Sequence, residues 1–432
     1  MAIKILIGGS PCTYWSIAQK NNRETEASGM GWELFKNYLI AKEKFKPDFF
    51  LYENNKSAAQ AIKDQIAKEL GVGIDPDVRF TYINSALVSA QNRQRFYVTN
   101  FGDIEQPEDR GILLKDILET GDGFEHRMFS DNPNKQQVDM IGEPVYIGEV
   151  PGHNGKYRNG KQASQQYRIY DVNGKSVACD TDSRKYITEP VTIDRAIPYI
   201  VEKYGYVPEM FNAYNRTEIT DKSPTLSTGS MATSSCATNR FEPIPGYATP
   251  CEWDENGKPT KAVSCSDGKT YTVYEVKDGQ ITIKGKQYPI KLPDGFYIIR
   301  KLTVRECARL QTMPDDYCKA VSDSQAYKAL GNGWTKEVII HLLNHALKDV
   351  PRDEEIIVLS LYDGIATGRH CLAEMGFTNV KYYAYEKDPY PIKIAMDNYP
   401  DIIQCGDAFA VREDDWKPPQ TRSEWLGELL GA

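Results

Sequence analysis

The chain has 432 residues, enough for two or three domains, and 41% hydrophobic with 26% charged residues is typical of a globular protein. The formal net charge of −8 excludes a generally basic, non-specific nucleic-acid binder, although it leaves room for a local basic groove. The nine cysteines are an odd number without CxxC pairs, which argues against a disulfide framework and a zinc knuckle. No apolar run reaches the length of a membrane span and no signal peptide precedes the first strand, so we expect a cytoplasmic protein without membrane association.

A strand followed by a glycine-containing break opens the chain and leads to a cysteine. Alternating isoleucines over residues 3–7 predict a buried strand, and the run Gly8–Pro11 ends it. Cys12 is therefore expected on a loop at the carboxyl end of the strand, the edge at which α/β sheets bind ligands. Taken alone, a cysteine at this place is more often a small apolar residue than a nucleophile.

The next strand brings a carboxylate to the same edge. Apolar residues recur at helical spacing from 34 to 45, and Phe49–Tyr52 then predict a short strand that ends in Glu53. Strand, loop, helix and strand form a βαβ unit, which places Glu53 beside Cys12. A carboxylate next to a thiol in one cleft suggests catalysis, but Glu53 could equally cap a helix that begins near Ser57.

Two arginines follow a second helical stretch, Ala58–Leu70. Arg93 and Arg95 are separated by one residue ahead of the strand Phe96–Val98, so on an extended segment they face the same side. They could hold a carboxylate, a phosphate or a base edge. The alternative is a solvated strand with paired surface charges.

The middle of the chain differs in composition from both ends. From about Asp103 to Gly295, small polar residues are frequent and short strand patterns alternate with turns, which predicts a separate β-rich domain inserted in the α/β body. Its hydroxyl-rich run Asp221–Gly229 suits phosphate contacts or an ordinary turn. Helical order returns with the capping box of Thr303 and Glu306.

The C-terminal part carries a nucleotide-type element. The apolar run Ile356–Leu361 predicts a buried strand that leads into a glycine-containing turn, residues 362–368, and then a helix. The next strand ends in Glu386, roughly 20 residues on, where an acid can accept the hydroxyls of an adenosine ribose. Asp407 follows a third short strand and could take the adenine amino group. Because no GK[ST] loop is present, the predicted ligand is S-adenosylmethionine rather than a nucleoside triphosphate.

Six motifs at the two ends of the chain resemble those of DNA (cytosine-5) methyltransferases. They are GSPC at 9–12, YEN at 52–54, QNRQR at 91–95, RKLTVRECARLQTMP at 300–314, GNGWT at 331–335 and YDGIATG at 362–368. The sequence of the last motif is similar to that of the same motif in the vertebrate de novo enzymes and in phage relatives. In the family the glycine-containing cofactor motif comes first, whereas here it follows GNGWT. The resemblance therefore implies a circularly permuted member, in which the usual internal connection would link Ala432 to Met1.

The resemblance implies a fold and a partner. The fold is α/β, a Rossmann-like S-adenosylmethionine-dependent methyltransferase domain with a smaller β-rich target-recognition domain. The implied division is a catalytic half over 1–102, target recognition over 103–324 and a cofactor-binding half over 325–432. The implied substrate is double-stranded DNA, from which the target cytosine is flipped out. The setting is a bacterial or phage-infected cell without an obligate protein partner, and a restriction–modification role is left open.

The resemblance also assigns the reacting groups. Cys12 would add to C6 of cytosine as the nucleophile, and Glu53 would hydrogen-bond or protonate N3 and contact the exocyclic amine. Arg95 matches the family arginine at the base O2, and Arg93 matches its partner in the active-site network. The loop Thr13–Gly31 would close over the flipped base.

For the cofactor, the resemblance places Tyr362 near the adenine, Glu386 at the ribose and Asp407 at the adenine amine. Gly364 and Gly368 are expected where the backbone approaches the cofactor closely, and GNGWT completes the methionine end. The full expected set is Asn332, Trp334, Thr335, Tyr362, Asp363, Gly364, Ile365, Ala366, Thr367, Gly368, Glu386 and Asp407. No metal site is predicted.

Two other functions share parts of this pattern. An RNA cytosine C5-methyltransferase would use the same chemistry, although the long middle insert favours readout of a DNA duplex. A methyltransferase-like binding protein without catalysis would lack Cys12, Glu53 or an arginine, and all are present. Lys336 beside the cofactor motif could favour a cofactor with an extra negative charge, and hence another transferred group, but a solvent-facing helix lysine is the favoured interpretation.

Overall fold

The computed structural model describes residues 2–15, 23–119 and 193–420, except 213–216, 219–238, 245–247, 265 and 284, together with three short strands between 146 and 177. The predicted loop Thr13–Gly31 is described only at its two ends. The run Asp221–Gly229 and the two terminal residues that a permutation would join lie outside the described residues.

Eight helices longer than one turn occur in this part of the chain. They are α1 (Gly29–Phe45), α2 (Gln60–Leu70), α3 (Ile193–Tyr204), α4 (Val304–Leu310), α5 (Asp323–Asn332), α6 (Lys336–Leu347), α7 (Thr367–Glu374) and α8 (Pro389–Asn398). Among the described residues, no helix combines the length and the apolarity that a membrane span requires.

The twenty described strands form one sheet from the two ends of the chain, a second sheet from its middle and two further two-stranded pairs. They are β1 (Ile3–Gly8), β2 (Phe49–Asn55), β3 (Arg79–Asn84), β4 (Gln91–Asn92), β5 (Gln94–Thr99), β6 (Tyr146–Glu149), β7 (Arg168–Tyr170), β8 (Ser176–Val177), β9 (Met210–Asn212), β10 (Thr217–Glu218), β11 (Asn239–Ile244), β12 (Ala248–Trp253), β13 (Pro259–Ser264), β14 (Thr270–Lys277), β15 (Gln280–Ile283), β16 (Lys286–Pro289), β17 (Gly295–Lys301), β18 (Ile356–Leu361), β19 (Val380–Tyr385) and β20 (Ile403–Gln404).

A seven-stranded sheet joins strands from the two ends of the chain. Its order is β20-β19-β18-β1-β2-β5-β3, and neighbours are parallel except at β5, which is antiparallel to β2 and β3. All six residues of the central strand β18 are buried, as its apolar sequence predicts. After β18 the chain adds β19 and β20 on one side of the sheet, and after β1 it adds β2, β3 and β5 on the other side. The topological switch point of the sheet therefore lies between these two strands.

Helices cover both faces of the seven-stranded sheet. On one face, α1 and α2 bury Phe35 and Ile62 in a cluster with the sheet residues Phe50 and Phe96. On the other face, α6 and α7 bury Leu342 and Cys371 with residues of β1 and β18. The result is a three-layer α/β/α arrangement, and the predicted βαβ unit of β1, α1 and β2 is present.

The middle of the chain forms a second, antiparallel sheet. Its strand order is β10-β9-β11-β17-β14-β13-β12, with β15 and β16 paired beside β14. Helix α3 covers this sheet, and its residues Ile197 and Ile200 share a hydrophobic cluster with Ile299 of β17. Helices α4 and α5 instead share a hydrophobic cluster with Leu114 and Ile365. The domain boundaries at 102 and 324 stay a prediction.

Two of the alternatives drawn from the sequence are wrong. Glu53 lies inside β2 and α2 begins only at Gln60, so this carboxylate does not cap that helix. Arg93 and Arg95 are 3% and 4% exposed, so they are not a solvated pair of surface charges. Glu53, Arg93 and Arg95 are instead buried polar residues.

The glycines of GNGWT predict a loop over residues 331–335 ahead of the next helix, and the structure differs from this prediction. Helix α5 continues through Gly331 and Asn332, so only the last three residues of the motif form the connection to α6. The interpretation of Lys336 as a solvent-facing lysine is wrong, because this residue is 8% exposed. Its ammonium lies 2.7 Å from Glu374 of α7 and 3.2 Å from Glu337, and a buried lysine needs such partners. These two carboxylates balance the charge that could have attracted an anionic cofactor.

Candidate active site

A cleft of about 710 Å³ opens at the switch point of the seven-stranded sheet. Gly8 and Leu361 are paired at the carboxyl ends of β1 and β18, so the chain enters the cleft from both strands at one place. Twelve of the predicted site residues line it, namely Cys12, Glu53, Arg93, Arg95, Asn332, Trp334, Tyr362, Asp363, Gly364, Thr367, Glu386 and Asp407.

Cys12 opens a short 3-10 turn, Cys12–Tyr14, directly after the strand break. The turn closes when the Trp15 N–H donates to the Cys12 carbonyl at 3.0 Å. Upstream, the side-chain amide of Asn54 donates to the Ser10 carbonyl at 2.8 Å, and the Ser10 and Tyr52 hydroxyls lie 2.7 Å apart. These buried groups of β2 hold the loop that presents the thiol.

Both carboxylate oxygens of Glu53 are engaged. Arg95 Nε lies 2.9 Å from Oε1, and the Trp334 indole N–H donates to Oε2 at 2.9 Å. The side chains of the ion pair are 5% and 11% exposed for arginine and glutamate, so the pair is shielded from most solvent. Gly9 leaves the necessary space, because a Cβ there would lie 2.5 Å from the Glu53 carbonyl oxygen. The arrangement fixes one orientation of a carboxyl group beside a thiol.

Arg93, which lies between β4 and β5, binds the GNGWT segment. Its guanidinium donates to the carbonyl of Gly333 at 2.7 Å and to that of Gly331 at 3.3 Å. The backbone N–H of Arg93 donates to Asn84 Oδ1 at 3.0 Å. The guanidinium thus binds carbonyls at the end of α5, where a cation is favourable, and positions the loop that carries Trp334.

The turn after β18 has the backbone shape of a ligand-binding loop. Tyr362, Gly364 and Ala366 have φ values of 59°, 64° and 60°, in the left-handed region. A Cβ added at Gly364 would meet no atom within 4 Å, so this face of the turn is open. The Gly364 N–H donates to Glu386 Oε2 at 3.0 Å, which connects the turn to the end of β19.

Glu386 and Asp407 are partly occupied by local bonds. Glu386 Oε1 accepts from the N–H groups of Lys387 and Asp388, both at 2.8 Å. Asp407 Oδ1 accepts from the Phe409 N–H at 3.1 Å, and its Oδ2 lies 3.4 Å from Lys387 Nζ. Because a carboxylate oxygen has two acceptor sites, Glu386 Oε2 retains one for a hydroxyl group.

Asp363 has one satisfied and one unsatisfied carboxyl oxygen. Oδ1 accepts from Ser360 Oγ at 2.7 Å and from the Tyr382 hydroxyl at 2.6 Å. Oδ2 is buried and has no hydrogen-bond partner in the described structure. Burial raises the pKa of Asp363 to about 6. A cationic group in the cleft would both satisfy Oδ2 and stabilise the ionised form.

Four of the predicted cofactor residues, Thr335, Ile365, Ala366 and Gly368, are buried beside the cleft. Thr335 Oγ1 lies 2.8 Å from Ser85 Oγ and donates to Gln311 at 2.9 Å. A Cβ at Gly368 would collide with Ile7 and with the Tyr382 hydroxyl. The close approach at Gly368 is therefore between α7 and the sheet, not between the backbone and a ligand.

Some residues that shape the site were missed by sequence reasoning. Asn37 of α1 donates to the Tyr362 hydroxyl at 3.1 Å, and this hydroxyl donates to the Leu34 carbonyl at 2.7 Å. Arg412 in turn donates to Asn37 and to the Glu33 carbonyl. Nothing in the helical pattern of α1 distinguishes Asn37 from a surface residue, because its partners lie more than 300 positions away.

Comparison with known proteins identifies relatives by sequence. A family model described as C-5 cytosine-specific DNA methylase matches residues 1–348. The orphan methyltransferase M.SPRI of Bacillus phage SPR is 24% identical over 373 residues, which is 78% of this chain and 80% of the relative. The type II methyltransferase M.BanI of Aneurinibacillus aneurinilyticus is 52% identical over 40 residues, 9% of each chain.

Solved structures were compared as well. The Entamoeba histolytica methyltransferase EhMeth aligns with a TM-score of 0.35 and 12% identity, over 80% of this chain and 78% of that one. The S. pombe Dnmt2 methyltransferase aligns with a TM-score of 0.29 and 12% identity, over 80% and 77% of the two chains. TM-scores this low do not establish a shared fold, so the family assignment rests on the match of the family model to residues 1–348. On that evidence the protein belongs to the C-5 cytosine-specific DNA methylase family.

Proposed function

We propose that the protein is a DNA cytosine C5-methyltransferase that uses S-adenosylmethionine and forms a covalent Cys12 adduct at C6 of a flipped-out cytosine. One observation carries the proposal: a single cleft contains the Cys12 thiol, the Glu53–Arg95 pair and the acids Glu386 and Asp407. A thiol and an oriented carboxyl group suit activation of a pyrimidine, and two acids at the ends of neighbouring strands suit an adenosine.

The chemistry follows from the weakness of C5 of cytosine as a nucleophile. Addition of the Cys12 thiolate to C6 moves an electron pair toward C5 and N3, and the Glu53 carboxyl group stabilises this charge by hydrogen-bonding or protonating N3. C5 would then form its new carbon–carbon bond with the methyl group that S-adenosylmethionine supplies. The methyl–sulfur bond would break with its electron pair left on sulfur, and a base or water would remove the C5 proton. The electron pair of that C–H bond restores the C5–C6 double bond and expels Cys12 as the thiolate.

Several groups fit S-adenosylmethionine, which supplies an electrophilic methyl group when bound. The unpaired Oδ2 of Asp363 matches the ammonium of its methionine part, and Glu386 Oε2 retains an acceptor site for a ribose hydroxyl. The open face at Gly364 permits close approach of a ligand to the turn. Asp407 accepts the adenine amine in competition with Lys387.

In this proposal the chain is a circularly permuted family member. The family match ends at residue 348, before the strand, turn and helix that start at β18. Strands β18 to β20 nevertheless complete the sheet at β1. Near the two ends of the described chain, Ala2 and Trp416 pack against the same hydrophobic cluster, so these two residues lie on the same face of the sheet.

DNA is favoured over RNA as the substrate. A sheet of nine strands in the middle of the chain supplies a second surface beside the catalytic one, as readout of a duplex groove requires. The family model that matches the chain is described as a DNA methylase, which also favours DNA. The proposed setting is the cytoplasm of a bacterial or phage-infected cell, with no obligate protein partner.

A trapping reaction tests the proposal. The protein, S-adenosylmethionine and mixed-sequence duplexes that contain 5-fluorocytosine are incubated and separated on a denaturing gel, beside a Cys12→Ser variant. Because fluorine does not leave as a cation, the adduct persists, and we expect a covalent band with the wild type alone. Sequencing of the trapped duplexes gives the recognition site.

Parallel reactions with 5-fluorocytosine RNA separate the alternatives. A band on RNA but on no DNA would overturn the substrate and leave the chemistry in place. Absence of a band on either polymer, with intact binding of labelled duplex, would favour a non-catalytic DNA-binding protein. A band that survives Cys12→Ser would assign the nucleophile to another residue.

A further inference from the structure

Trp15 closes the Cys12 turn with its backbone N–H, and its side chain is bound by a glutamate from the far side of the loop. Trp15 is completely buried, and its indole N–H donates to Glu24 Oε2 at 3.1 Å. The same carboxylate accepts from the Gly31 N–H at 3.2 Å and 3.1 Å. A buried indole N–H requires an acceptor, and Glu24 provides it.

The start of α1 is shaped to receive this carboxylate. A Cβ at Gly31 would lie 2.6 Å from Glu24 Oε2 and 2.5 Å from the Trp15 indole nitrogen. Gly29 has a φ of 77°, and a Cβ there would collide with the Glu24 carboxylate. The carboxylate also lies at the positive end of the α1 dipole, where a negative charge is favourable. Two glycines and a helix terminus thus form a seat for one side chain.

The seat is connected to the nucleophile by backbone bonds. The Trp15 N–H donates to the Cys12 carbonyl at 3.0 Å, and the Glu24 N–H donates to the Tyr14 carbonyl at 2.9 Å. Arg23 donates to the carbonyls of Trp15 at 3.1 Å and Ser57 at 2.5 Å. The turn that presents the thiol is therefore held against α1 and against the segment that follows the Glu53 strand.

We propose that Glu24 is a positioning residue for the Cys12 thiol, acting through the indole of Trp15. Glu24 touches neither base nor cofactor in this assignment. It fixes the direction in which the Cys12–Tyr14 turn presents the sulfur toward C6, and a displacement of about 1 Å in such a group lowers a reaction rate by about a hundredfold. This assignment rests on the proposed function of Cys12 as the nucleophile.

The test compares Glu24→Gln with Glu26→Gln, because Glu26 is an exposed glutamate two residues away in the same segment. The rate of covalent adduct formation on a 5-fluorocytosine duplex is measured at saturating duplex and S-adenosylmethionine. We expect Glu24→Gln to slow this rate by about tenfold or more and Glu26→Gln to change it by less than about twofold. The dissociation constant for S-adenosylmethionine, measured by calorimetry, should be the same for both.

A second pair of variants checks the route through the indole. Trp15→Phe removes the N–H and keeps an aromatic ring. If Glu24 acts through this N–H, the double variant Trp15→Phe/Glu24→Leu reacts at about the rate of the slower single variant, because leucine, unlike glutamine, has no acceptor and each change then removes the same contact.

Each outcome decides a separate point. No adduct with the wild type contradicts the proposed function itself. The positioning role is overturned if Glu24→Gln leaves the rate of adduct formation unchanged. It is also overturned if the substitution lowers the melting temperature while the folded variant still forms the adduct at the wild-type rate. Losses that multiply in the double variant overturn the coupling through Trp15.

Discussion

Glu53 illustrates how a single functional side chain depends on three distant segments. Arg95 and Trp334 take its two oxygens, and Gly9 makes space for it beside β1. The position of Glu53 at the end of a strand is predictable from apolar patterning. Its partners are not, because they meet only when β1, β5 and the α5–α6 connection are assembled.

Because the Asp363 carboxyl group is buried, we expect the free energy of unfolding to depend on pH. Burial raises its pKa from 3.8 to about 6, so the folded protein binds this proton more tightly than the unfolded chain does. The resulting stabilisation totals about 3 kcal/mol well below the unfolded pKa of 3.8 and is lost as the pH rises through 6. We expect the free energy of unfolding of the ligand-free wild type to fall by about 2 kcal/mol relative to Asp363→Asn between pH 4 and pH 7, because the rest of the effect lies below pH 4.

Urea unfolding at several pH values measures this difference. Taking the difference between the two proteins cancels the titration of the other carboxylates. Parallel curves for wild type and Asp363→Asn would contradict the prediction. With S-adenosylmethionine added at pH 7, the wild type should gain more stability than the variant, since a bound ammonium would offset the cost of the buried charge.

At the scale of elements, a buried ion pair joins the second sheet to α4. Arg300 of β17 and Glu306 of α4 form a bidentate pair at 2.7 Å and 2.8 Å, with side chains 2% and 0% exposed. The Glu306 carboxylate also accepts from the N–H groups of Thr303 and Glu119, both at 2.8 Å. One carboxylate thus holds three segments at the junction between the two sheets.

Glu306→Gln should be strongly destabilising. The substitution leaves the Arg300 charge buried without its counter-ion, which costs about 3–5 kcal/mol. Urea unfolding followed by tryptophan fluorescence measures the loss. Arg305→Met is the matched control, because Arg305 is 51% exposed and its ion pairs with Asp316 and Glu119 should contribute less than about 1 kcal/mol. Equal losses of unfolding free energy for the two variants would show that burial does not determine how much an ion pair contributes to stability.

The elements themselves were predictable to different degrees. The strands at 3–7 and 356–361 and the capping box of Thr303 and Glu306 are confirmed. Their signals are local, since they depend on apolar runs and on side chains three residues apart. The prediction of a loop over residues 331–335 was wrong for Gly331 and Asn332. The glycines of GNGWT suggest a loop, whereas packing of Ala329 and Leu330 extends the helix to Asn332.

At the scale of the whole molecule, the order of the strands predicts that the chain tolerates new ends. Ala432 can be joined to Met1 by a flexible glycine–serine linker, and the chain can be opened between Arg352 and Asp353, two exposed residues ahead of β18. This order would restore the arrangement in which the cofactor element comes first. We expect the relinked protein to fold and to form the Cys12 adduct within about tenfold of the original rate, because exposed loops tolerate such openings.

The control is the same relinked chain opened between Gly364 and Ile365. This break disrupts the turn that faces the cleft, and it should abolish binding of S-adenosylmethionine. Failure of the chain opened at 352 to fold, or equal activity of both relinked chains, would contradict the permutation. Binding can be measured by calorimetry independently of adduct formation.

The sequence by itself determined the α/β class, the strand that contains Glu53, the strands that precede Cys12 and Glu386, and the motifs that lead to the family. Those features are local, because apolar periodicity and short motifs depend on neighbours in the chain. Only the tertiary structure decided what the side chains bind: Glu53 with Arg95 and Trp334, Lys336 with Glu374, and Trp15 with Glu24. The physical reason is that a buried polar group takes whichever partner the fold brings within hydrogen-bond distance, and no spacing in the sequence records that distance.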